Sequence, residues 1–427
     1  MTSTAGAQAT RRLPRVAAFW LVAATLVAFM FAAGAPTPLY VVYQAHWGFS
    51  ATTLTTVFAV YAVALLVALV TVGALSDHVG RRPILLVALL IELAAMIVFV
   101  RVGNVGWLLG ARAIQGFATG MATGTISAYL VDLAPVRNPK LGPIVNSTTP
   151  TLGLAVGGLG SGVLVQFGPH PTTLVFTLLA AVFVAVAAGV AVMPETVQRK
   201  EGALASLRPR AGVPARVRPQ FLVTLPSLIA TWALGGLYLS LGPSLAAGVL
   251  HLHSHLIGGL VVFALCGAGS LGSFLMRDRE PRTALFTGTS TLAIGLALSL
   301  PALDTVDVPL FFVGAVLSGF GFGTTFLGAL RTLAGLARPD ERAELFAAVY
   351  VVSYLAFSLP AIVAGIATTH LGLTTTATVY GIVVFALAAG AVIALVARDR
   401  ATRRAVDVDG TAELPELAAP CPEAVGS

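Results

Sequence analysis

Two charged residues lie deep inside apolar stretches of this sequence. Glu92 falls near the middle of the apolar run 83–101, and Arg112 lies about two helical turns into the run 106–132. Charge at membrane depth is costly, so each residue is a candidate for function. Glu92 is either a proton carrier whose protonation Arg112 controls or a structural partner that permanently neutralises Arg112. Both interpretations predict that the two side chains lie close together.

A second polar group interrupts the apolar sequence at residues 73–83, GALSDHVGRRP. Its candidate functional residues, with one acid from the end of the run 106–132, are Gly73, Asp77, Gly80, Arg81, Arg82 and Asp132. Asp77 and Arg81 are four residues apart, the spacing at which opposite charges pair on a helix. Gly80 permits a turn with positive φ, and Gly73 leaves room for a neighbouring helix. An acid here can also face the positive N-terminus of another helix. The alternative is that the arginines only anchor the topology.

The elements that position these residues are predicted to be membrane-spanning helices. The chain has 427 residues, of which 57% are hydrophobic and only 10% charged, against about 25% charged in soluble domains. Apolar runs of about twenty residues recur, which is enough to cross roughly 30 Å of hydrocarbon. The pattern predicts an all-α integral membrane protein with twelve transmembrane helices, at 16–34, 52–74, 83–101, 106–132, 141–167, 172–193, 221–248, 254–276, 283–301, 308–336, 342–368 and 374–397.

The runs divide into two six-helix bundles with polar segments around them. The predicted divisions are a cytoplasmic N-terminal tail (1–15), the first bundle (16–193), a cytoplasmic linker (194–220), the second bundle (221–397) and a disordered cytoplasmic tail (398–427). Lysine and arginine concentrate at both termini and in alternate loops, so the positive-inside rule predicts that both termini are cytoplasmic. The expected location is the inner (cytoplasmic) cell membrane. The net charge of +7 therefore reports topology and does not indicate nucleic-acid binding. A cleaved signal peptide at the first run is a weaker alternative.

The two bundles repeat each other with an offset near 204. QGFATG at 115–120 corresponds to SGFGFG at 318–323, and small residues at matching places let helices approach closely in lipid. The candidate packing glycines are Gly116, Gly120, Gly153, Gly157, Gly158, Gly319 and Gly323. Two parallel six-helix repeats are typical of a secondary transporter with pseudo-symmetric halves.

At this point the residues resemble a known family. GALSDHVGRRP is similar to the signature of the loop between spans two and three in the major facilitator superfamily, and RAIQG at 112–116, with Gly120, resembles its span-four signature. GLAVGG at 153–158 resembles the span-five signature of its proton-antiporter branch for drug and metabolite efflux, although Leu154 replaces a proline. The resemblance implies the major facilitator fold, a cavity lined by spans one, four, seven and ten, and a latch in which Asp77 meets span eleven. Span one lacks the acid that proton-coupled exporters of the family often carry there.

Further cavity candidates come from polar and aromatic residues within the runs: Gln115, Asn146, Trp232, Tyr238, Tyr350 and Tyr354. Pro36 and Pro38 are expected to break the first helix. The sequence HLHSH at 251–255 is interpreted as an exposed turn, with a metal site as the less favoured alternative. No nucleotide-binding loop, catalytic triad or metal-ligand cluster is apparent in the sequence, so we expect no enzyme activity, cofactor or metal.

Together these features predict a secondary transporter that exports a small amphiphilic compound by alternating access, coupled to inward proton flow. The expected partners are the substrate, protons and the lipid bilayer, and a monomer is expected. The first alternative is uptake of a metabolite by the same fold, which holds if Glu92 and Arg112 bind solute instead of a proton. A membrane receptor or scaffold without transport is a remote alternative, because a scaffold needs no latch.

Overall fold

The computed structural model describes residues 13–208, 211–252, 254–338 and 341–410, and within these ranges every regular element is helical. The α-helices are α1 (Arg15–Gly34), α2 (Pro36–Trp47), α3 (Ala51–Val72), α4 (Ser76–Val79), α5 (Arg81–Val100), α6 (Val105–Asp132), α7 (Leu141–Phe167), α8 (Leu174–Ala191), α9 (Arg218–Gly248), α10 (His255–Leu275), α11 (Pro281–Thr305), α12 (Val308–Leu336), α13 (Arg342–Leu371) and α14 (Leu373–Gly410). One short 3₁₀-helix, Ala205–Leu207, lies between α8 and α9.

The all-α membrane fold predicted from the sequence is confirmed. Within the described ranges, 11 helical segments are long and apolar enough to cross a membrane, with α1 and α2 together forming one of them. The long helix α6 is not among these, because Arg112, Gln115 and several glycines and threonines lower its mean hydropathy. It lies in the protein interior between α3, α5 and α1. Counting α6, each of the twelve predicted runs corresponds to one long helical segment.

The first helix ends at Gly34, just before Pro36, and a second helix begins at once. The interruption is confined to Ala35, whose φ of −58° and ψ of −37° are still helical. Pro36 then occupies the first turn of α2, where its missing N–H costs least, and the helix continues to Trp47. The predicted helix end near residue 34 therefore agrees with α1, but the apolar segment continues through α2 to Trp47.

The last helix is also longer than predicted. α14 continues to Gly410, whereas the sequence predicted an end near residue 397 and a disordered tail beyond it. The rest of that predicted tail, residues 411–427, lies outside the described residues.

The internal repeat appears as the same helix contact in both halves. A Cβ atom on Gly116 would lie 2.2 Å from the Tyr61 carbonyl oxygen, and one on Gly120 would lie 2.2 Å from that of Leu65, so α6 packs on α3 through its glycines. In the second half, α12 packs on α10 through the corresponding glycines Gly319 and Gly323. Their Cβ positions lie 2.2 Å and 1.9 Å from the carbonyl oxygens of residues 265 and 269. The glycines are required by this backbone-to-backbone approach.

The most extensive contacts between the halves are those of α3 with α13 and of α7 with α10. One end of the bundle holds the α3–α5 turn, residues 192–208 and 211–217, and the start of α13, and we call it the basic end. The other is called the opposite end. At the opposite end, the Thr52 hydroxyl donates to the Gly365 carbonyl at 3.1 Å, and the backbone N–H of His255 donates to the Gln166 side chain at 3.0 Å. The halves are therefore in contact where the opposite end would otherwise open.

Candidate functional site

The buried charged cluster lies in the first half, where α5 and α6 face the junction of α1 and α2. The side chains of Glu92, Arg112 and Gln115 are 0%, 1% and 0% exposed. The Gln115 amide donates to the Glu92 carboxylate at 3.4 Å, and Arg112 donates to the Gln115 side-chain oxygen. Among the described residues Glu92 forms no ion pair with Arg112, because Gln115 lies between them. The predicted proximity is observed, but the contact is indirect.

Pro36 explains how Gln115 is held. In a continuous helix the Ala32 carbonyl would accept a hydrogen bond from the N–H of residue 36, and proline has none. The Gln115 amide donates to this Ala32 carbonyl at 2.9 Å, and Arg112 donates to the adjacent Ala33 carbonyl at 3.5 Å. The helix interruption therefore supplies the acceptor that fixes the bridging side chain.

Two atoms of the cluster have no hydrogen-bond partner, Oε2 of Glu92 and Nε of Arg112. Buried polar groups are nearly always paired, so each orphan calls for an explanation. The Arg112 guanidinium lies over the Tyr61 ring, with its central carbon 4.0 Å from the ring centroid, which is a cation–π contact. The arginine is thus stabilised by an aromatic face and by polar neighbours, without a direct carboxylate partner.

In the second half, six aromatic side chains form what we call the aromatic wall: Trp232, Phe322, Phe326, Tyr350, Tyr354 and Phe357. Trp232 is its centre, with ring centroids 5.2 Å from those of Phe326 and Tyr354. The indole N–H of Trp232 is buried without a hydrogen-bond partner. The wall reaches the first half, because Tyr354 packs against the small cluster that contains Tyr61. The charged cluster and the aromatic wall are therefore joined through two tyrosines.

A cavity of about 510 Å³ opens between the halves at the basic end. Its lining comes from the end of α3, from the linker and from the start of α13, and it includes Asp77, Arg208, Glu344 and Tyr350. Tyr350 belongs to both this cavity and the aromatic wall. In this conformation, with the opposite end in contact, the cavity at the basic end meets the aromatic wall at Tyr350.

The α3–α5 turn brings its predicted polar residues together. Arg81 pairs with Asp77 and with Asp132 at 3.3 Å. Gly80 has a φ of 115°, the positive value that the sequence predicted. A Cβ atom on Gly124 of α6 would lie 3.2 Å from the Gly73 carbonyl oxygen, so Gly73 lies at a close helix approach. The Asp77 side chain is half-exposed, and it forms its ion pair and hydrogen bond with Arg81 of its own half.

Glu195 is a residue of this cluster that the sequence analysis missed. Its carboxylate accepts hydrogen bonds from the backbone N–H groups of Arg81 at 2.9 Å and Arg82 at 3.0 Å. It therefore caps the N-terminus of α5, where a negative charge is favourable. The Arg82 side chain donates to the Met193 carbonyl at 3.3 Å. The sequence did contain one indication of this role. Glu195 directly follows the apolar run 172–193, which ends on the side of the membrane that holds the α3–α5 turn.

The remaining candidates fall into different environments. Asn146 accepts a hydrogen bond from Ser127 at 2.9 Å, joining α7 to α6. Tyr238 is 3% exposed, stacks on Phe311 and bonds Ser299 at 3.1 Å, so the structure places it in the core of the second half and not on the aromatic wall. Of HLHSH, His253 lies outside the described residues.

The glycines of α7 lie at close contacts with both halves. A Cβ atom on Gly153 would lie 2.4 Å from that of Met30, and one on Gly157 would lie 2.3 Å from the Phe31 carbonyl oxygen. A Cβ atom on Gly158 would lie 2.7 Å from Val262 of α10. α7 therefore packs on α1 and on the other half through small residues.

Comparison with known proteins identifies related chains. A model of the Major Facilitator Superfamily matches residues 21–305. An uncharacterized transporter of Rickettsia felis is 30% identical over 153 residues, which is 35% of this chain and 36% of that protein. Multidrug resistance protein MdtL of a Shewanella strain is 26% identical over 284 residues, which is 64% of this chain and 70% of that protein. The chain thus spans just over a third of the first relative and about two thirds of the second.

Among solved structures, the nucleoside transporter NupG superimposes with a TM-score of 0.66. The superposition covers 90% of this chain and 99% of that one, at 14% sequence identity. At this identity the likeness concerns the fold alone.

Proposed function

We propose that this chain, which belongs to the Major Facilitator Superfamily, exports a small amphiphilic compound in exchange for protons. Membership of the family makes the protein a membrane transporter. The direction of transport, the coupling to protons and the class of substrate are what we propose. The observation that carries the proposal is the continuous path from the buried acid Glu92, through Gln115, Arg112 and Tyr61, to the aromatic wall at the cavity.

The aromatic wall supports an amphiphilic substrate. Aromatic side chains offer large apolar faces and bind flat apolar groups, and the unpartnered indole N–H of Trp232 offers one hydrogen bond to a polar group. The wall itself carries no charge. A substrate with a flat apolar body and a polar end suits this surface better than a sugar or a phosphate.

The charged cluster supports proton exchange. A carboxyl group that is 0% exposed and whose second oxygen lacks a partner is expensive to hold as a permanent charge. A purely structural partner of Arg112 would be expected to form a direct ion pair, and Gln115 occupies that position instead. We therefore favour Glu92 as the proton carrier. This carrier lies on the third span, whereas proton-coupled exporters of the family often carry the acid on the first span.

The polar turn is proposed as a latch between conformations. Asp77, Arg81 and Asp132, with Gly73, Gly80 and Arg82 shaping the turn, hold the basic end of the first half. In the structure Asp77 and the start of α13 line the same cavity, and Asp77 forms its ion pair with Arg81 of its own half. We propose that closing this cavity brings Asp77 to the N-terminus of α13 and stabilises the state open at the opposite end. The basic end is then cytoplasmic, both termini lie in the cytoplasm, and the protein works as a monomer in the inner membrane.

The experiment is a substrate panel in everted membrane vesicles with an imposed pH gradient, acid inside. Export predicts that amphiphilic aromatic compounds accumulate inside the vesicles and leave when a protonophore collapses the gradient. Vesicles without the protein are the control. Equal accumulation with and without the pH gradient would contradict proton exchange. Accumulation only in right-side-out vesicles would instead support the alternative function, uptake of a metabolite.

A further inference from the structure

The basic end of the second half carries a separate pocket that the transport path does not use. It has a volume of about 540 Å³ and lies where α9, α11, α12 and α14 meet. Three arginines from three helices line it, Arg282 of α11, Arg331 of α12 and Arg398 of α14, together with Gln220 of α9. We call it the arginine pocket. Its residues are far apart in sequence, so only the fold brings them together.

We propose that the arginine pocket binds the phosphate headgroup of an anionic membrane phospholipid. Arginine matches phosphate because its planar guanidinium presents several N–H donors in a fixed geometry. Glu280 also lines the pocket, so one acid stands against three arginines and the net charge favours an anion. The start of α11 adds to it, because its N-cap Glu280 makes no side-chain capping hydrogen bond and a helix N-terminus attracts negative charge.

Arg331 shows that part of the pocket is preorganised. Its guanidinium donates to the carbonyl of Arg277 at 2.8 Å and to that of Arg279 at 2.9 Å. These bonds fix the side chain against the α10–α11 turn. Arg331 therefore has a defined position on the pocket wall.

The surroundings favour a lipid over free phosphate. Leu336, which lines the pocket, is 46% exposed, and nearby Phe286 and Leu222 are 40% and 62% exposed. These side chains lie on helices apolar enough to cross a membrane, so the pocket opens beside an apolar surface. Acyl chains would lie on that surface while the phosphate enters the pocket. Basic pockets between transmembrane helices at the membrane interface are suited to anionic headgroups.

The test measures lipid binding to the purified full-length protein in detergent by native mass spectrometry. Phosphatidylglycerol is compared with phosphatidylcholine of identical acyl chains. The unmodified protein is expected to prefer phosphatidylglycerol. The double variant Arg282→Gln/Arg398→Gln is expected to lose about tenfold to thirty-fold in affinity for phosphatidylglycerol, since each arginine near a lipid surface contributes about 1 kcal/mol. Arg137→Gln removes a positive charge from the basic end outside the pocket and is expected to keep the preference.

A second variant tests the site without removing an arginine. Gly335 lines the pocket, and a Cβ atom there would meet no atom within 4 Å. Gly335→Glu therefore places a carboxylate beside the arginines and should weaken phosphatidylglycerol binding, whereas Gly335→Ala should not. Unchanged binding in both the double variant and Gly335→Glu would overturn the proposal. So would displacement of the lipid by an equal concentration of inorganic phosphate, because the pocket would then take a free anion.

Discussion

Replacing Glu92 by glutamine separates the proton-carrier interpretation from the structural one. Glu92 is the one carboxylic acid that is completely buried among the described residues, so the prediction assumes one proton per transport cycle. With one proton exchanged for one substrate, each pH unit supplies about 1.4 kcal/mol, which supports an accumulation of about tenfold. Glutamine keeps the size of the side chain and can still accept the hydrogen bond from Gln115. It cannot lose or gain a proton, so the expected accumulation ratio falls to about one.

The assay is uptake of a transported compound into everted vesicles at a pH gradient of about one unit, with the membrane potential clamped. Counterflow of labelled against unlabelled substrate, which needs no proton gradient, is expected to continue in Glu92→Gln. The variant can place an amide NH₂ group at the position of Oε2, which has no hydrogen-bond partner. A buried donor without a partner lowers the free energy of unfolding by about 1–3 kcal/mol. The melting temperature is therefore measured in parallel. Asp304→Asn, which changes an exposed acid, is the matched control. A Glu92→Gln protein that still accumulates substrate about tenfold per pH unit would refute the reasoning.

Three further predictions follow from the latch, the wall and the helix contacts. Asp77→Asn is expected to slow transport at a normal membrane level, because the loss of up to about 2 kcal/mol at a helix N-terminus reduces the state open at the opposite end; an unchanged rate would contradict the latch. Trp232→Ala is expected to raise the KM for aromatic substrates by about tenfold, with Trp232→Phe between it and the unmodified protein. Gly323→Ala is expected to lower the melting temperature, since its Cβ would lie 1.9 Å from the Gly269 carbonyl oxygen, whereas Gly390→Ala, with no atom within 4 Å, should leave it unchanged.

The sequence predicted the helices well because membrane-spanning runs are set by composition. Apolar length alone locates them, and the repeated glycine pattern correctly indicated two similar halves. The errors lie at helix ends. Pro36 was expected to end a helix because proline lacks an N–H, and α1 does end at Gly34. The sequence did not predict that a new helix starts at once, which is possible because that N–H is not needed in a first turn. The extension of α14 to Gly410 follows no apolar pattern, so hydropathy could not indicate it.

The charged site was only partly predictable, because its contacts join residues that are distant in sequence. Helical spacing gave the pair of Asp77 and Arg81, which is local. The capping of α5 by Glu195 depends on how α8 returns to the same end, and nothing in the local sequence fixes that. In the same way, the sequence gave Gln115 only as a candidate for lining the cavity. Its position between Glu92 and Arg112 depends on a carbonyl that a proline in another helix leaves without its usual donor.

The geometry also indicates where substrate and proton would communicate. The contacts that hold Glu92, Gln115 and Arg112 all lie within the first half, so they survive a movement of the halves as rigid bodies. Tyr354 of the second half packs on the small cluster that contains Tyr61 of the first half, so such a movement changes this packing. Tyr61 also carries the Arg112 guanidinium on its ring face. If the proposed substrate binds at the aromatic wall, Tyr61 is the side chain through which it would influence the charged cluster. Protonation of Glu92 would influence the wall through the same side chain.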